Sequence, residues 1–132
     1  MIVLDASVVV DLILNVDPIA MRIAERIVHE TPGLCAPHLL DAEVGQVLRR
    51  FCLRGDVTAG RAIHALGDFR ALPITRYPHT PLLERSFALR DNATVYDALY
   101  LSLAEGLGAP LLTRDSALGT VPGCTARVEV IR

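Results

Sequence analysis

Short apolar segments alternate with helical segments along this chain of 132 residues, and the alternation limits the folds it can adopt. Between the apolar segments, apolar residues recur at the three- and four-residue spacing of helices. Strands that are joined through helices pair in parallel, and helices then cover both faces of the sheet. The sequence therefore predicts an α/β chain with a short, mostly parallel central sheet, formed by residues 1–132 as a single domain. The strand candidates are residues 1–5, 34–37, 72–76, 110–115 and 127–132.

Turn-forming and capping residues predict where the helices begin and end. Asp17 and Pro18 are the expected N-cap and first residue of the second helix, which extends to about Glu30. Glycines at 106 and 108 are expected to end the last long helix, which contains Asp97. The predicted helical segments are about 6–14, 18–30, 38–53, 59–69, 80–90 and 93–106.

Composition excludes several classes of protein. All 13 basic residues are Arg and none is Lys. A phosphate-binding GK[ST] loop and a phosphoacceptor receiver domain both need a lysine, so neither fits. The net charge of −2 gives no global basic field for nucleic acid. Three cysteines without CxxC spacing and the absence of any apolar run of about 18 residues predict a cytoplasmic protein outside the membrane.

The mean hydropathy of +0.39 is high for an isolated domain. It favours an apolar surface that is covered by a second copy of the chain or by a protein partner. The alternative is an Ala-rich composition without functional meaning.

Four carboxylates are expected at one edge of the sheet. Asp5 and Asp115 follow strand candidates, and ligands of parallel sheets bind beyond the carboxyl ends of the strands. Asp97 lies at the start of an otherwise apolar helix that must begin at this edge. Glu43 lies near the start of the long helix after the second strand, on its inward side, whereas Asp41 is rotated from it by about 160°. We therefore select Glu43 over Asp41.

Each of these acids also has a purely structural explanation. Thr94 and Asp97 have the spacing of a capping box, and Asp5 is positioned to cap the first helix. Asp115 is a typical turn residue, and Glu43 can extend to solvent. These explanations do not account for the convergence of all four. Two like charges about 4 Å apart repel by about 4 kcal/mol at an effective dielectric constant near 20. A divalent cation with oxygen ligands, Mg²⁺ or Mn²⁺, would relieve that repulsion and suit phosphodiester hydrolysis.

Four blocks of this sequence resemble those of the PIN-domain family, and most closely the VapC-type toxins of toxin–antitoxin pairs. The blocks are "IVLDASVVVDLIL" (2–14), "DAEVGQVLRR" (41–50), "YDALYLSLAE" (96–105) and "LLTRDSAL" (111–118). The resemblance implies a three-layer α/β/α PIN-like fold. It also implies an Mg²⁺- or Mn²⁺-dependent endoribonuclease that leaves 5′-phosphate and 3′-hydroxyl ends.

The resemblance assigns roles to particular residues. Asp5 and Asp97 would be direct metal ligands, and Glu43 and Asp115 would hold bound waters or a second ion. Some relatives carry another acid or Asn where Ser116 stands here, so a second ion is expected to bind weakly or only together with substrate. Two hydroxyl residues would orient the carboxylates, and four arginines are candidates for contact with RNA. The hydroxyl residues are Ser7 and Thr113. The candidate arginines are Arg49, Arg50, Arg54 and Arg114.

The resemblance also implies a homodimer and inhibition by a small VapB-like antitoxin. Two alternatives stay open. One is a catalytically inactive PIN domain that binds RNA or a partner, and the other is a PIN nuclease of RNA maturation without an antitoxin.

Overall fold

The computed structural model describes residues 1–30 and 32–132, which form a five-stranded sheet covered by helices. The strands are β1 (Ile2–Leu4), β2 (Leu34–Pro37), β3 (Ile74–Tyr77), β4 (Leu111–Thr113) and β5 (Val128–Val130). The helices are α1 (Ala6–Ile13), α2 (Ile19–Ile27), α3 (Leu39–Leu53), α4 (Ala59–Ala71), α5 (Leu83–Ala88) and α6 (Val95–Leu107). Short 3-10 helices span Thr80–Leu82 and Ser116–Thr120.

All strand pairings are parallel, in the order β3-β2-β1-β4-β5. The central strand β1 pairs through Val3 with Cys35 of β2 on one side and with Leu111 of β4 on the other. The chain order therefore reverses at β1. In an open parallel sheet, the strand ends beside such a reversal form the crevice in which ligands bind.

Alternating strand residues separate two apolar cores, one on each face of the sheet. Ile2 and Leu4 pack with α1, α2, α3 and α4, whereas Val3 packs with α6 on the opposite face. Leu111 and Leu112 of β4 divide in the same way. This alternation follows from the two-residue period of a strand, and it confirms the predicted three-layer α/β/α fold.

Two helix boundaries show where the sequence signals succeeded and failed. Gly108 adopts the left-handed conformation, with φ of 62°, directly after α6, as expected for a glycine that ends a helix. The N-cap prediction for the second helix was wrong. Pro18 is the cap, Asp17 makes no capping hydrogen bond, and α2 ends at Ile27 instead of Glu30. In the part of the chain that the structure describes, no helix is long and apolar enough to cross a membrane.

Candidate acidic active site

Two of the predicted carboxylates lie at the carboxyl ends of neighbouring strands. Asp5 directly follows β1, and its backbone N–H donates to the Leu112 carbonyl of β4 at 3.0 Å. Asp115 lies just beyond β4, where its side chain accepts from the Ala117 N–H at 2.9 Å. Asp5 is buried and Asp115 is exposed. The turn-residue explanation of Asp115 is therefore correct, and it leaves the residue at the same edge as Asp5.

The hydroxyl groups of Ser7 and Thr113 hold the Asp5 carboxylate. Both donate to Asp5 Oδ2, from Ser7 Oγ at 2.9 Å and from Thr113 Oγ1 at 2.6 Å. Each hydroxyl also accepts a backbone N–H, from Arg114 at 3.1 Å and from Asp115 at 3.0 Å respectively. The two residues thus tie the end of β4 to the start of α1. Asp5 Oδ1 receives neither hydroxyl proton.

Asp97 reaches the site from the first turn of α6. The Thr94 side chain accepts from the Asp97 N–H at 3.1 Å and caps the helix, as the capping-box spacing predicts. Burial raises the pKa of the Asp97 carboxyl, and the negative charges of Asp5 and Asp115 raise it further. The same turn therefore caps α6 and brings Asp97 into the acidic cluster.

Glu43 is held by a buried tyrosine. The Tyr100 hydroxyl donates to Glu43 Oε1 at 2.6 Å, and the Tyr100 side chain is 1% exposed. Burial raises the pKa of the Glu43 carboxyl, the Tyr100 hydrogen bond lowers it, and the charges of Asp5 and Asp97 raise it. Asp41 instead forms an ion pair with Arg76, with an N–O distance of 2.7 Å. Glu43, and not Asp41, lines the same cavity as Asp5 and Asp115.

Burial and mutual repulsion make this edge unfavourable for negative charge. Burial raises the pKa of the Asp5 carboxyl, the hydrogen bonds from Thr113 and Ser7 lower it, and the charge of Asp115 raises it. Raised carboxyl pKa values at a concave site are typical of functional groups. A cation would stabilise the ionised forms of all these acids.

The donor set fits a hard divalent cation. The four side chains supply only carboxylate oxygens, which Mg²⁺ and Mn²⁺ prefer over the nitrogen and sulfur ligands that suit zinc. Within residues 1–30 and 32–132, no group of three or more His, Cys, Asp or Glu side chains has the arrangement of a preformed metal site. The structure therefore brings the four acids within electrostatic reach of one another without arranging them as a closed ligand shell.

A groove between α1 and α3 extends from the acidic cluster. Its volume is about 490 Å³. One end is formed by Asp5, Glu43 and Asp115, and the other is lined by apolar side chains that include Phe51. We call this cavity the α1–α3 groove.

The four candidate arginines have different surroundings. Arg50 lines the α1–α3 groove. The Arg54 guanidinium lies 5.1 Å from the centre of the Phe51 ring and pairs with Asp56. Arg49 is exposed on α3. The Arg114 side chain donates to Asp11 Oδ2 at 2.9 Å and to the Ile131 carbonyl at 2.9 Å, which gives it a structural role in this conformation.

Sequence reasoning missed two polar residues of the site. In the sequence, Tyr100 is one residue of the otherwise apolar helix that contains Asp97, and its three-residue offset places both on one side of α6. Asp11 lines the groove and pairs with Arg114. The sequence signal for Asp11 was the single carboxylate in the apolar run 8–14.

Comparisons with known proteins agree with this geometry. A family model described as "PIN domain" matches residues 2–123. Ribonuclease VapC12 of Mycobacterium tuberculosis is 37% identical over 131 residues, which cover 99% of each chain. Ribonuclease VapC1 of the same organism is 48% identical over 98 residues, or 74% of each chain. VapBC2 from Rickettsia felis, crystallised with a promoter DNA fragment, superposes with a TM-score of 0.73, 15% identity and full coverage of both chains.

Proposed function

The chain belongs to the PIN-domain family, and from this premise we propose that it is a VapC-type endoribonuclease, the toxin of a toxin–antitoxin pair. The observation that supports this most directly is the identity with VapC12 along 99% of both chains. The acids at the carboxyl ends of β1 and β4 add the chemistry, because they can hold a cation against a phosphodiester.

The proposed cofactor is Mg²⁺ or Mn²⁺. Asp5 and Asp97 would bind it directly, and Glu43 and Asp115 would hold its waters or a second ion. When bound, the ion would activate water and stabilise the negative charge that develops on the phosphate during hydrolysis. The family implies a divalent metal, and the carboxylate-only donor set supports these two ions.

The surrounding side chains fix the carboxylates before any ion binds. Ser7 and Thr113 both donate to Asp5 Oδ2, so they restrict rotation of that carboxylate. Tyr100 donates to one oxygen of Glu43 and leaves Oε2 without that proton. Removal of such orienting hydrogen bonds typically lowers metal affinity or activity by about 10–100-fold.

We propose that a small VapB-like antitoxin inhibits this protein in the cytoplasm. The VapBC2 structure from Rickettsia felis supports a partner of this kind, because its toxin chain shares the fold. We also propose a homodimer. Exposed apolar side chains supply surface for both contacts, and they include Leu53, Ile63 and Leu83.

The first experiment is cleavage of total RNA by the purified protein with Mg²⁺ or Mn²⁺, followed by sequencing of the fragment ends. We expect discrete cuts with 5′-phosphate ends, lost in excess chelator and in Asp97→Asn. Asp91→Asn is the matched control, because Asp91 is an exposed aspartate in the turn before α6. It should cleave like the wild type.

Two outcomes would contradict the proposal. Undiminished cleavage by Asp97→Asn, or by the wild type in chelator, would remove the metal mechanism. A folded wild-type protein that binds RNA and never cuts it would instead be an inactive PIN domain. Toxicity on expression, relieved by a co-expressed neighbouring gene, separates the toxin from a nuclease of RNA maturation.

A further inference from the structure

The α1–α3 groove has two chemically different halves. Asp5, Glu43 and Asp115 form the acidic half, where the proposed function places the scissile phosphate. The other half is lined mainly by Val10, Val47 and Phe51, which continue along α1 and α3, and Asp11, which is paired with Arg114, lies beside Val10. Phosphate and metal chemistry do not require that apolar half.

The apolar half lies beyond the acids along the axis of α3. Phe51 is separated from Glu43 by about 12 Å along the axis of α3, at 1.5 Å per residue. Gln46 and Arg50 lie between them on the same side of the helix and line the groove. An amide and a guanidinium are the side chains that most often hydrogen-bond base edges.

The far end of the groove has the composition of a stacking platform. The Arg54 guanidinium carbon lies over the Phe51 ring, 5.1 Å from its centre, so an aromatic ring and a guanidinium are neighbours there. Unpaired bases stack on both kinds of plane. A groove of about 490 Å³ lies within the range of small-ligand sites, about 300–1,000 Å³.

We propose that the α1–α3 groove binds the base of an unpaired nucleotide next to the scissile phosphate. Phe51 stacks on that base, and Gln46 and Arg50 contact its edge or its phosphate. The proposal rests on the proposed ribonuclease function and adds a subsite to it. Of the charged residues that line this half, Arg50 attracts phosphate and repels cationic side chains, and the charge of Asp11 is paired with Arg114. This charge pattern favours RNA over a basic peptide.

The test uses a short synthetic RNA that contains the cut site mapped by the first experiment. The four nucleotides nearest the cut, two on each side, are replaced one at a time by an abasic nucleotide. At one of these positions, the abasic nucleotide should lower the kcat/KM of the wild type by about tenfold or more, which is the effect of losing one base–aromatic stacking contact. The other positions should change it much less.

Phe51→Leu supplies the second arm. It removes the ring and keeps an apolar side chain, so it should lower kcat/KM on intact RNA by a similar factor. The sensitive abasic position should then have no further effect, because the stacking partner is already gone. Phe87→Leu is the matched control. The Phe87 ring also has an arginine over it, with the Arg90 guanidinium carbon 4.7 Å from its centre, but Phe87 lies on α5 and does not line the groove.

Each outcome decides the proposal. It is overturned if every abasic position is tolerated within about twofold, or if the abasic effect persists in full in Phe51→Leu. It is also overturned if Phe51→Leu cleaves RNA normally and loses only the binding of a peptide inhibitor. If Phe51→Leu melts below the assay temperature, the abasic series on the wild type decides alone. Failure of the wild type to cut intact RNA would instead count against the ribonuclease function.

Discussion

The hydrogen bond between Tyr100 and Glu43 offers the sharpest test of how the acidic cluster is held. Tyr100→Phe removes one oxygen from a side chain that is 1% exposed and leaves the packing volume almost unchanged. The lost contact is a 2.6 Å hydrogen bond to a carboxylate. Hydrogen bonds to charged groups contribute about 1.5–3 kcal/mol. We expect the free energy of unfolding to fall by about that amount at pH 7.5 without metal.

The pH dependence of this loss has a definite sign. Burial raises the pKa of the Glu43 carboxyl above its ordinary value of 4.5, and the Tyr100 hydroxyl opposes that rise. A carboxyl with a raised pKa stabilises the folded state below its ordinary pKa, and the contribution is lost as the pH rises through the folded-state value. Without Tyr100 the pKa of Glu43 rises further. The destabilisation by Tyr100→Phe is therefore larger at pH 7.5 than at pH 4, where a neutral hydrogen bond of about 1 kcal/mol is lost.

Urea denaturation at the two pH values, in chelator, measures both quantities. Tyr96→Phe is the control, because Tyr96 lies on the same helix and is 63% exposed. It should change stability by less than about 0.5 kcal/mol at either pH. Equal destabilisation by Tyr100→Phe at both pH values, or none at pH 7.5, would refute the reasoning.

Three further predictions concern single carboxylates or their partners. Asp97→Asn should raise the denaturation midpoint at pH 7, because it removes a repelled charge, and should weaken Mn²⁺ binding by calorimetry at least about tenfold. Thr113→Val leaves the buried Asp5 carboxylate with one fewer donor, so urea denaturation should show a loss of about 1–3 kcal/mol. The pKa of Glu105 is lowered to about 2, chiefly by the hydrogen bonds of Arg85. The stability that ionised Glu105 contributes is present above its ordinary pKa and is lost as the pH falls toward 2. The amount by which Glu105→Gln lowers the melting temperature should therefore shrink as the pH is lowered from 7 to 3.

The parallel sheet and the edge at which the four acids lie could be predicted from local patterns. β2 has the bounds that its apolar run predicts, and Asp5 and Asp115 follow β1 and β4 as expected. The choice of Glu43 over Asp41 needed only the helical period. What the pattern could not give was the strand order, which places β4 beside β1 although they are far apart in sequence.

Side-chain partners could not be predicted because they depend on contacts across the fold. Tyr100 looks like a core residue in the sequence, and the group that accepts its hydroxyl proton, Glu43, lies on another helix. Arg114 looks like a free cation beside an acidic residue. In the structure Asp11 and the Ile131 carbonyl use its donors, and neither partner is adjacent in sequence.

The acidic cluster is assembled from both helical layers, and this explains why its hydrogen bonds matter. Glu43 belongs to α3, which packs in one core, and Asp97 belongs to α6, which packs in the other. Packing within either layer alone does not fix the separation between the two carboxylates. The hydrogen bond from Tyr100 to Glu43 joins the two layers, one turn along α6 from Asp97. A single buried phenol thus links two acids that repel each other, and its removal should loosen the site without disrupting either core.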